Sequence, residues 1–314
     1  MTNNSQTNAV MMRLGTRNSP LAMAQAIETK ARLCAAHGWT NDQVELVPVI
    51  ASGDKVLDRP LSEIGGKALW TKELDVWLAE GKIDASVHSA KDVETIRPEK
   101  FHFAAFLPRA DRRDALVGAE SIAAIPQGAT IGTSAPRRAA QLLNLRPDCK
   151  VVTFRGNVAT RLGKLEAGEA DVTFLAAAGL ARLDQSEVGH PLPSEDWIPA
   201  AGQGVIALEC RSDNAVATAH LAAIDHPQTR DELIAERALL EALGGTCHSP
   251  VAVLCEPDGG ELNMRAALFS SDGYERVEAT VKFPAGGHSA VKALAADLLE
   301  RSSPSITQLF TSGT

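Results

Sequence analysis

The chain has 314 residues and a formal net charge of −8, too long for one ordinary core, so two or three domains are expected. Apolar residues make up 45% and charged residues 22%, which places it among folded globular proteins rather than disordered or fibrous ones. The acidic balance argues against nucleic acid as a partner, because no basic face dominates. No apolar run approaches the roughly 20 residues of a membrane span, and the polar stretch Met1 to Val10 lacks the pattern of a signal peptide. Cysteine stands at Cys34, Cys149, Cys210, Cys247 and Cys255, an odd number that fits no disulfide frame or zinc knuckle. Reduced thiols in a cytoplasmic protein, with no metal, are the expectation.

In chain order, the first helix is the best marked. Ser19 can cap it, Pro20 suits its first turn and Gly38 can end it. Leu21, Ala24, Ile27, Ala31 and Cys34 recur at helical spacing and predict its apolar face. A strand is expected over Val44 to Ile50, a glycine-bearing mobile loop over Gly53 to Lys67, and a helix over Thr71 to Ala79 stopped by Gly81. Short strands follow at Asp84 to His88, Phe101 to Leu107 and Ala115 to Val117. Strand and helix then alternate: Thr130 to Thr133, Ala135 to Leu145, Val151 to Phe154, Val158 to Ala167, Val172 to Ala176 and Ala178 to Leu183. That alternation predicts a parallel sheet with helical crossovers, which binds ligands beyond the carboxyl ends of its strands.

Gly189 to Gly204 reads as a linker, Gly204 to Cys210 as a strand, and Ala215 to Ile224 and Arg230 to Leu243 as helices. Strands at Leu262 to Leu268 and Glu275 to Phe283, the second alternating apolar with polar, precede a closing helix at Ser289 to Leu299. The expected fold is two α/β units plus a smaller α+β unit.

Against the acidic background, Arg137, Arg138, Arg146, Arg155 and Arg161 crowd one stretch. In Thr133-Ser134-Ala135-Pro136-Arg137-Arg138 a strand ends, a hydroxyl stands at the helix cap and two arginines occupy the first turn. Cations there oppose the helix dipole, so an external anion is a candidate to offset them. Phe154-Arg155-Gly156-Asn157 repeats the device with Asn157 as cap, placing four guanidiniums at one sheet edge. Arg17 and Ser19 stand at another strand end, and Lys91 and Asp92 at a third, where a catalytic acid or base is expected. Each also has a plainer reading: Arg17 as a solvated surface group, Lys91 and Asp92 as an ion pair on a loop. Cys247, presented by Gly244-Gly245-Thr246, is a candidate nucleophile or attachment point, or a passive thiol.

Taken in order, RLGTRNSPLA (13–22), GDKVLDRPLSEIGGKALWTKEL (53–74), VHSAKDV (87–93), IGTSAPRRAAQL (131–142), FRGNVATRLGKL (154–165), PAAGQGVIALECR (199–211) and GGTCHSP (244–250) resemble porphobilinogen deaminase, also called hydroxymethylbilane synthase. The resemblance runs over nearly the whole chain. It implies a monomeric transferase of haem biosynthesis that joins four porphobilinogen molecules head to tail, losing ammonia at each step, and releases linear hydroxymethylbilane. It implies a dipyrromethane primer held by a thioether to Cys247. Asp92 matches the family's catalytic aspartate, beside the pyrrole N–H groups where positive charge develops. Lys91, Ser134, Arg137, Arg138 and Arg155 match cofactor-binding positions. Arg17, Ser19, Lys67, Arg155, Arg161 and Arg182 match positions that receive substrate carboxylates, for which guanidinium is suited.

The resemblance further implies two lobes like those of a periplasmic binding protein. The expected domains are residues 12–108 plus 203–222, residues 109–202, and residues 223–314, the last carrying the cysteine loop. Glu63, Ala68, Trp70 and Ala135-Pro136 depart from the usual family residues. A non-catalytic anion-binding module on the same architecture would explain the arginines, but it gives Asp92 and Cys247 no task.

Overall fold

The computed structural model describes residues 9–49, 71–246 and 249–310. Cys247, Lys67, Glu63, Ala68, Trp70, the expected loop over 53–67 and Ile50 lie outside the described residues. Two five-stranded sheets and one three-stranded sheet organise the rest.

The first sheet contains β1 (Met12–Arg17), β2 (Val44–Val49), β3 (Ala85–Ser89), β4 (Phe101–Phe106) and β10 (Ile206–Arg211), in the order β2-β1-β3-β10-β4. Helix α1 (Pro20–His37) connects β1 to β2, and α2 (Lys72–Ala79) precedes β3. The second sheet contains β5 (Asp114–Val117), β6 (Thr130–Gly132), β7 (Lys150–Val152), β8 (Val172–Ala176) and the two-residue β9 (His190–Pro191), in the order β7-β6-β8-β5-β9. Its helices are α3 (Pro136–Leu145), α4 (Val158–Glu166) and the short α5 (Ala177–Ala181).

The two sheets share one plan. Three strands run parallel, β2-β1-β3 in one and β7-β6-β8 in the other. A fourth then enters antiparallel, β10 beside β3 and β5 beside β8. The parallel sheet with helical crossovers expected from the alternation is found over three strands, and the antiparallel fourth strand is an addition to it. Strand–helix alternation sets the direction of the strands it links, but it is silent about a strand inserted from elsewhere in the chain. β10 is such a strand: it follows the whole second sheet in sequence and lies between β3 and β4. The chain thus passes between the sheets twice, at 107–113 and at 192–205. The stretch read as a linker, Gly189 to Gly204, includes β9, which closes the edge of the second sheet.

The third sheet is the antiparallel meander β11 (Val251–Asp258), β12 (Glu261–Phe269) and β13 (Arg276–Phe283). Long helices α7 (Pro227–Leu243) and α8 (His288–Glu300) cover one face through Leu239, Leu243, Val253, Met264, Leu268 and Leu298, all buried. Each such side chain contributes roughly 1.5–3 kcal/mol when withdrawn from water. Between β10 and α7 lies α6 (Ala215–Ala222), and α9 (Pro304–Thr307) ends the described chain. The opposite face of the meander meets α3: Ala252, Leu254, Ala267 and Phe269 pack with Ala140 and Ile198. Asn144 of α3 donates to the Gly273 carbonyl at 2.9 Å, and Arg265 donates to the Glu195 carbonyl at 2.7 Å.

Local signals account for most helix ends. The Ser19 hydroxyl accepts the Ala22 N–H, Pro20 opens α1, and Gly38 closes it in the left-handed region. The predicted apolar face of α1 is corrected. The helix buries Ala22, Gln25, Ala26, Thr29 and Leu33, while Ile27 and Ala31 face solvent. Thr29 and Gln25 are accepted there because the Thr29 hydroxyl donates to the Gln25 carbonyl and the Gln25 amide reaches Ser89. Helix α7 begins at Pro227 rather than Arg230, because His226 Nδ1 accepts the Thr229 N–H.

Gly132 ends β6 directly over the Phe154 ring, where an added Cβ would lie 2.4 Å from a ring carbon. Gly132→Ala must therefore displace Phe154, which is buried, and is expected to destabilise the protein by about 1–3 kcal/mol. Chemical denaturation measures it. An unchanged midpoint and slope would show that the ring has room to move.

Candidate active site

Strand ends of both lobes converge between the first two sheets. On the first, β3 is buried along nearly its whole length and ends in a single tight turn, Ala90–Asp92. The Ala90 N–H bonds to the Val205 carbonyl at 3.0 Å, and the Val93 N–H closes the turn on Ala90. Gly202 of the second crossing lies against this turn with φ +71, so close that a Cβ would stand 3.0 Å from the Lys91 nitrogen. The turn is thus held from behind by the crossing chain, and Lys91 and Asp92 project from it at a fixed place.

Asp92 lines a cleft with Arg17, Ser19, Gln25, Thr71 and His88. Its half-buried carboxylate accepts no hydrogen bond and forms no ion pair among the described residues. Nearby interior carboxylates behave differently. Arg97 alone grips Glu209, Glu94 and Asp75 at 2.7, 2.7 and 2.5 Å, with His88 Nε2 3.5 Å from Glu209. Burial by itself would raise the Glu209 pKa, but the nearby His88 ring and the Arg97 guanidinium hold it down at about 2. Arg109 likewise clamps Glu236 and Glu232.

On the second sheet, β6 runs through Thr133 and Ser134 into α3. Ser134 is not the helix cap, which corrects that expectation: Ala135 occupies the cap position, and the Thr133 hydroxyl accepts the Ala135 N–H at 3.2 Å. Arg137 and Arg138 are only 5% exposed. Both turn onto Asp114 at the start of β5, at 2.7 and 2.6 Å. Arg137 also donates to the Ile198 carbonyl and Arg138 to the Phe174 carbonyl. Trp197 Nε1 and the Gln203 amide complete the shell of Asp114 at 2.7 and 2.9 Å. The anion that offsets the two arginines is therefore, in the first place, internal. One carboxylate against two guanidiniums still leaves a positive surplus.

After β7, the next turn follows the sequence reading. The Asn157 side chain accepts the Thr160 N–H at 2.9 Å and starts α4. Arg155 is buried beside it, and Arg161 donates to the Gly156 carbonyl at 3.1 Å. Burial lowers the Arg161 pKa to about 10; repulsion from Arg138 and Arg155 adds to this, and Asp92 opposes it. Lys91 feels the same field. Burial brings its pKa down to about 8, with Asp92 pulling up and Arg138 and Arg137 pushing down. Lys91 and Arg161 each stand within electrostatic reach of Arg138 and Asp92, and Arg161 also of Arg155.

Arg182 caps the far end of α5. It bridges the lobes, donating to Glu28 of α1 and to the Gly204 carbonyl, both at 3.3 Å. It lines a second hollow with Lys91, Gln25 and Ser89. Arg146 does not belong to the site. It sits at the other end of α3, on Asp148 and the carbonyls of Ile122, Ile125 and Pro126. Sequence reasoning missed Asp114, Gln203, Glu209 and Arg97. Glu209 carries a legible signal, an acid inside the apolar run Ile206-Ala207-Leu208-Glu209-Cys210, and Asp114 carries another, directly before Ala115-Leu116-Val117.

The arrangement suits a molecule with several carboxylates, held over one uncommitted acid. Residues 12–219 match the family described as "Porphobilinogen deaminase, dipyromethane cofactor binding domain", and residues 231–300 match "Porphobilinogen deaminase, C-terminal domain". The chain belongs to the porphobilinogen deaminase family. It is 53% identical over 305 residues to a porphobilinogen deaminase of Sphingopyxis alaskensis, covering 95% of this chain and 96% of that one. It is 47% identical over 283 residues to that of Paracoccus denitrificans, covering 89% and 90%. Among solved structures it is similar to immunogenic lipoprotein A from Vibrio vulnificus, with TM-score 0.42 and 12% identity over 69% of this chain and 96% of that one. No helix among the described residues is long and apolar enough to cross a membrane.

Removing the Asp114 charge leaves two buried guanidiniums without their counter-ion. Asp114→Asn is expected to cost about 3–5 kcal/mol, read by chemical denaturation. Burial would raise the Asp114 pKa, but the two arginines outweigh it and hold the carboxyl well below the usual range. Such a group favours the folded state above its unfolded value of roughly 3.9 and loses that contribution in acid. The gap between wild type and variant should therefore narrow below about pH 4. A loss of under about 1 kcal/mol at neutral pH would mean the pair is balanced elsewhere.

Proposed function

We propose that this chain condenses porphobilinogen head to tail on a dipyrromethane primer held by Cys247, and releases the linear tetrapyrrole hydroxymethylbilane. The observation that carries the reading is Asp92, an acid left uncommitted in a cleft where, among the described residues, the other charges nearby are positive or paired.

The residues fit such a primer. Each pyrrole unit brings two carboxylates, and the cations at the strand ends outnumber the acids facing them. When bound, the primer would supply the free nucleophilic pyrrole carbon to which the first unit is joined, later units joining the ring added before. Lys91, Arg155 and Arg161 bind carboxylate arms. Arg137 and Arg138 set the positive potential of the second lobe from their anchorage on Asp114. Arg17 and Ser19 receive the incoming substrate beside Asp92, since they line the same cleft. Guanidiniums suit this task because they stay charged and bind carboxylates two-pronged.

Asp92 acts on the charge that develops as ammonia leaves and the pyrrole ring turns electron-poor. A carboxylate already in place, with no internal partner to leave, stabilises that charge without reorganisation. It also stands where a proton must be given to the departing amine and taken from the new ring junction. Holding one reactant covalently makes each addition an oriented, near-unimolecular event. Arg182 pairs with Glu28, so a substrate carboxylate there would compete with that acid.

Porphobilinogen consumption with release of ammonia tests the reading. Asp92→Asn should fold normally yet lose roughly 100-fold or more in kcat, as expected for the loss of a preorganised charge. Arg155→Ala should lose about tenfold to a hundredfold in kcat/KM, the scale of one charge-assisted contact. Near-normal turnover by Asp92→Asn would remove that residue from the chemistry.

A further inference from the structure

We infer that Gln203 is a positioning residue: it holds the Lys91 ammonium in place without neutralising it, and joins it to the Asp114–arginine unit of the other lobe. Gln203 lies in the second crossing between the sheets and is 1% exposed. Its amide has three partners from three segments. Oε1 accepts from Lys91 Nζ at 3.3 Å. Nε2 donates to Asp114 Oδ1 at 2.9 Å and to the Arg112 carbonyl at 2.8 Å.

These partners fix the amide orientation. Turned over, it would point its NH₂ at an ammonium and its oxygen at a carboxylate and a carbonyl, three repulsive pairs in place of three bonds. The backbone is equally constrained. The Gln203 carbonyl accepts from Arg109 Nε at 3.0 Å, and the Gly202 N–H donates to Glu236 Oε2 at 2.6 Å. Every partner of Gln203 except Lys91 is itself locked in an ion pair or in the backbone of a crossing. Lys91 is therefore the one group whose place the amide determines.

The choice of an amide has a chemical consequence. The charged groups facing Lys91 are Asp92 in its own turn, Arg137 and Arg138 from α3 and Asp114 from β5, with Arg182 lining the same hollow. An ionised carboxylate at position 203 would cancel the lysine's charge and repel Asp114. An amide oxygen tethers it and leaves the charge available to an anionic substrate. This role rests on the reading of Lys91 as a carboxylate-binding group.

Two variants test it in the purified enzyme with its primer in place. Gln203→Met keeps the volume and removes the acceptor. Gln203→Glu keeps the acceptor toward Lys91, and beside Asp114 and the Arg112 carbonyl it should keep its proton and donate where the amide did. The pH dependence of Lys91 acylation, followed by peptide mass spectrometry, reports the lysine itself rather than turnover. Gln203→Met should move the midpoint down by roughly one pH unit, the scale of one charge-assisted bond, and Gln203→Glu should leave it near the wild-type value. A merely structural role predicts no loss confined to Gln203→Met, and a midpoint unchanged in folded Gln203→Met overturns the inference. KM for porphobilinogen, measured alongside, should rise severalfold in Gln203→Met and little in Gln203→Glu. A lowered midpoint in Gln203→Met with an unchanged KM would uphold the tether and remove Lys91 from substrate binding.

Discussion

One buried carboxylate facing two guanidiniums sets the terms for the rest of the molecule. Asp114 opens a strand, yet Arg137, Arg138, Trp197 and Gln203 all reach it, two from α3 and two from the second crossing. Burying three charges is costly, and a hydrophobic substitute would often be as stable. What the cluster provides is position. It pins the first turn of α3 at the mouth of the cleft and leaves more positive charge there than the protein's own acids balance.

Around that surplus the lobes are tied together by side chains rather than by a shared sheet. Arg109 and Gln203, one from each crossing, meet at a single hydrogen bond, and α7 receives Arg109 through Glu232 and Glu236. The third sheet supports both ends of the arrangement. Its outer face packs on α3, and α7 leads into the Gly244-Gly245 turn, where the Thr95 hydroxyl reaches the Gly245 carbonyl at 3.0 Å. Thr95 follows Asp92 by three residues, so the acid's own strand end is braced against the helix that precedes the cysteine loop. Asp92 remains the exception within this web.

Much of this is legible in the residues, and the reasons differ by element. Caps are local, so Ser19, Pro20, Gly38 and Asn157 mark their helices correctly. The strand ends that carry Arg17, Asp92 and Arg155 are equally local, and the motifs quoted for the family span them. Strand direction is not local: β10 and β5 enter antiparallel because the chain leaves one lobe and returns to it, which no short pattern records. The face of α1 was misread because polar Gln25 and Thr29 are buried by virtue of bonds to Ser89 and to the helix's own backbone. Arg146 stands near the other arginines in sequence, yet helix length carries it to the opposite end of α3. Asp114 was hidden because a lone acid announces its partners only once the fold brings them together.

The central claim is that the cationic cleft and its uncommitted acid serve an oligomeric polyanion tethered to Cys247. Intact-mass spectrometry of the purified chain, before and after limiting porphobilinogen, tests this most directly. Predicted are a starting mass above the polypeptide by one dipyrromethane, located by digestion on the peptide containing Cys247, and a ladder of heavier species each gaining one porphobilinogen less ammonia. A bare polypeptide mass that stays unchanged on addition of porphobilinogen would contradict it.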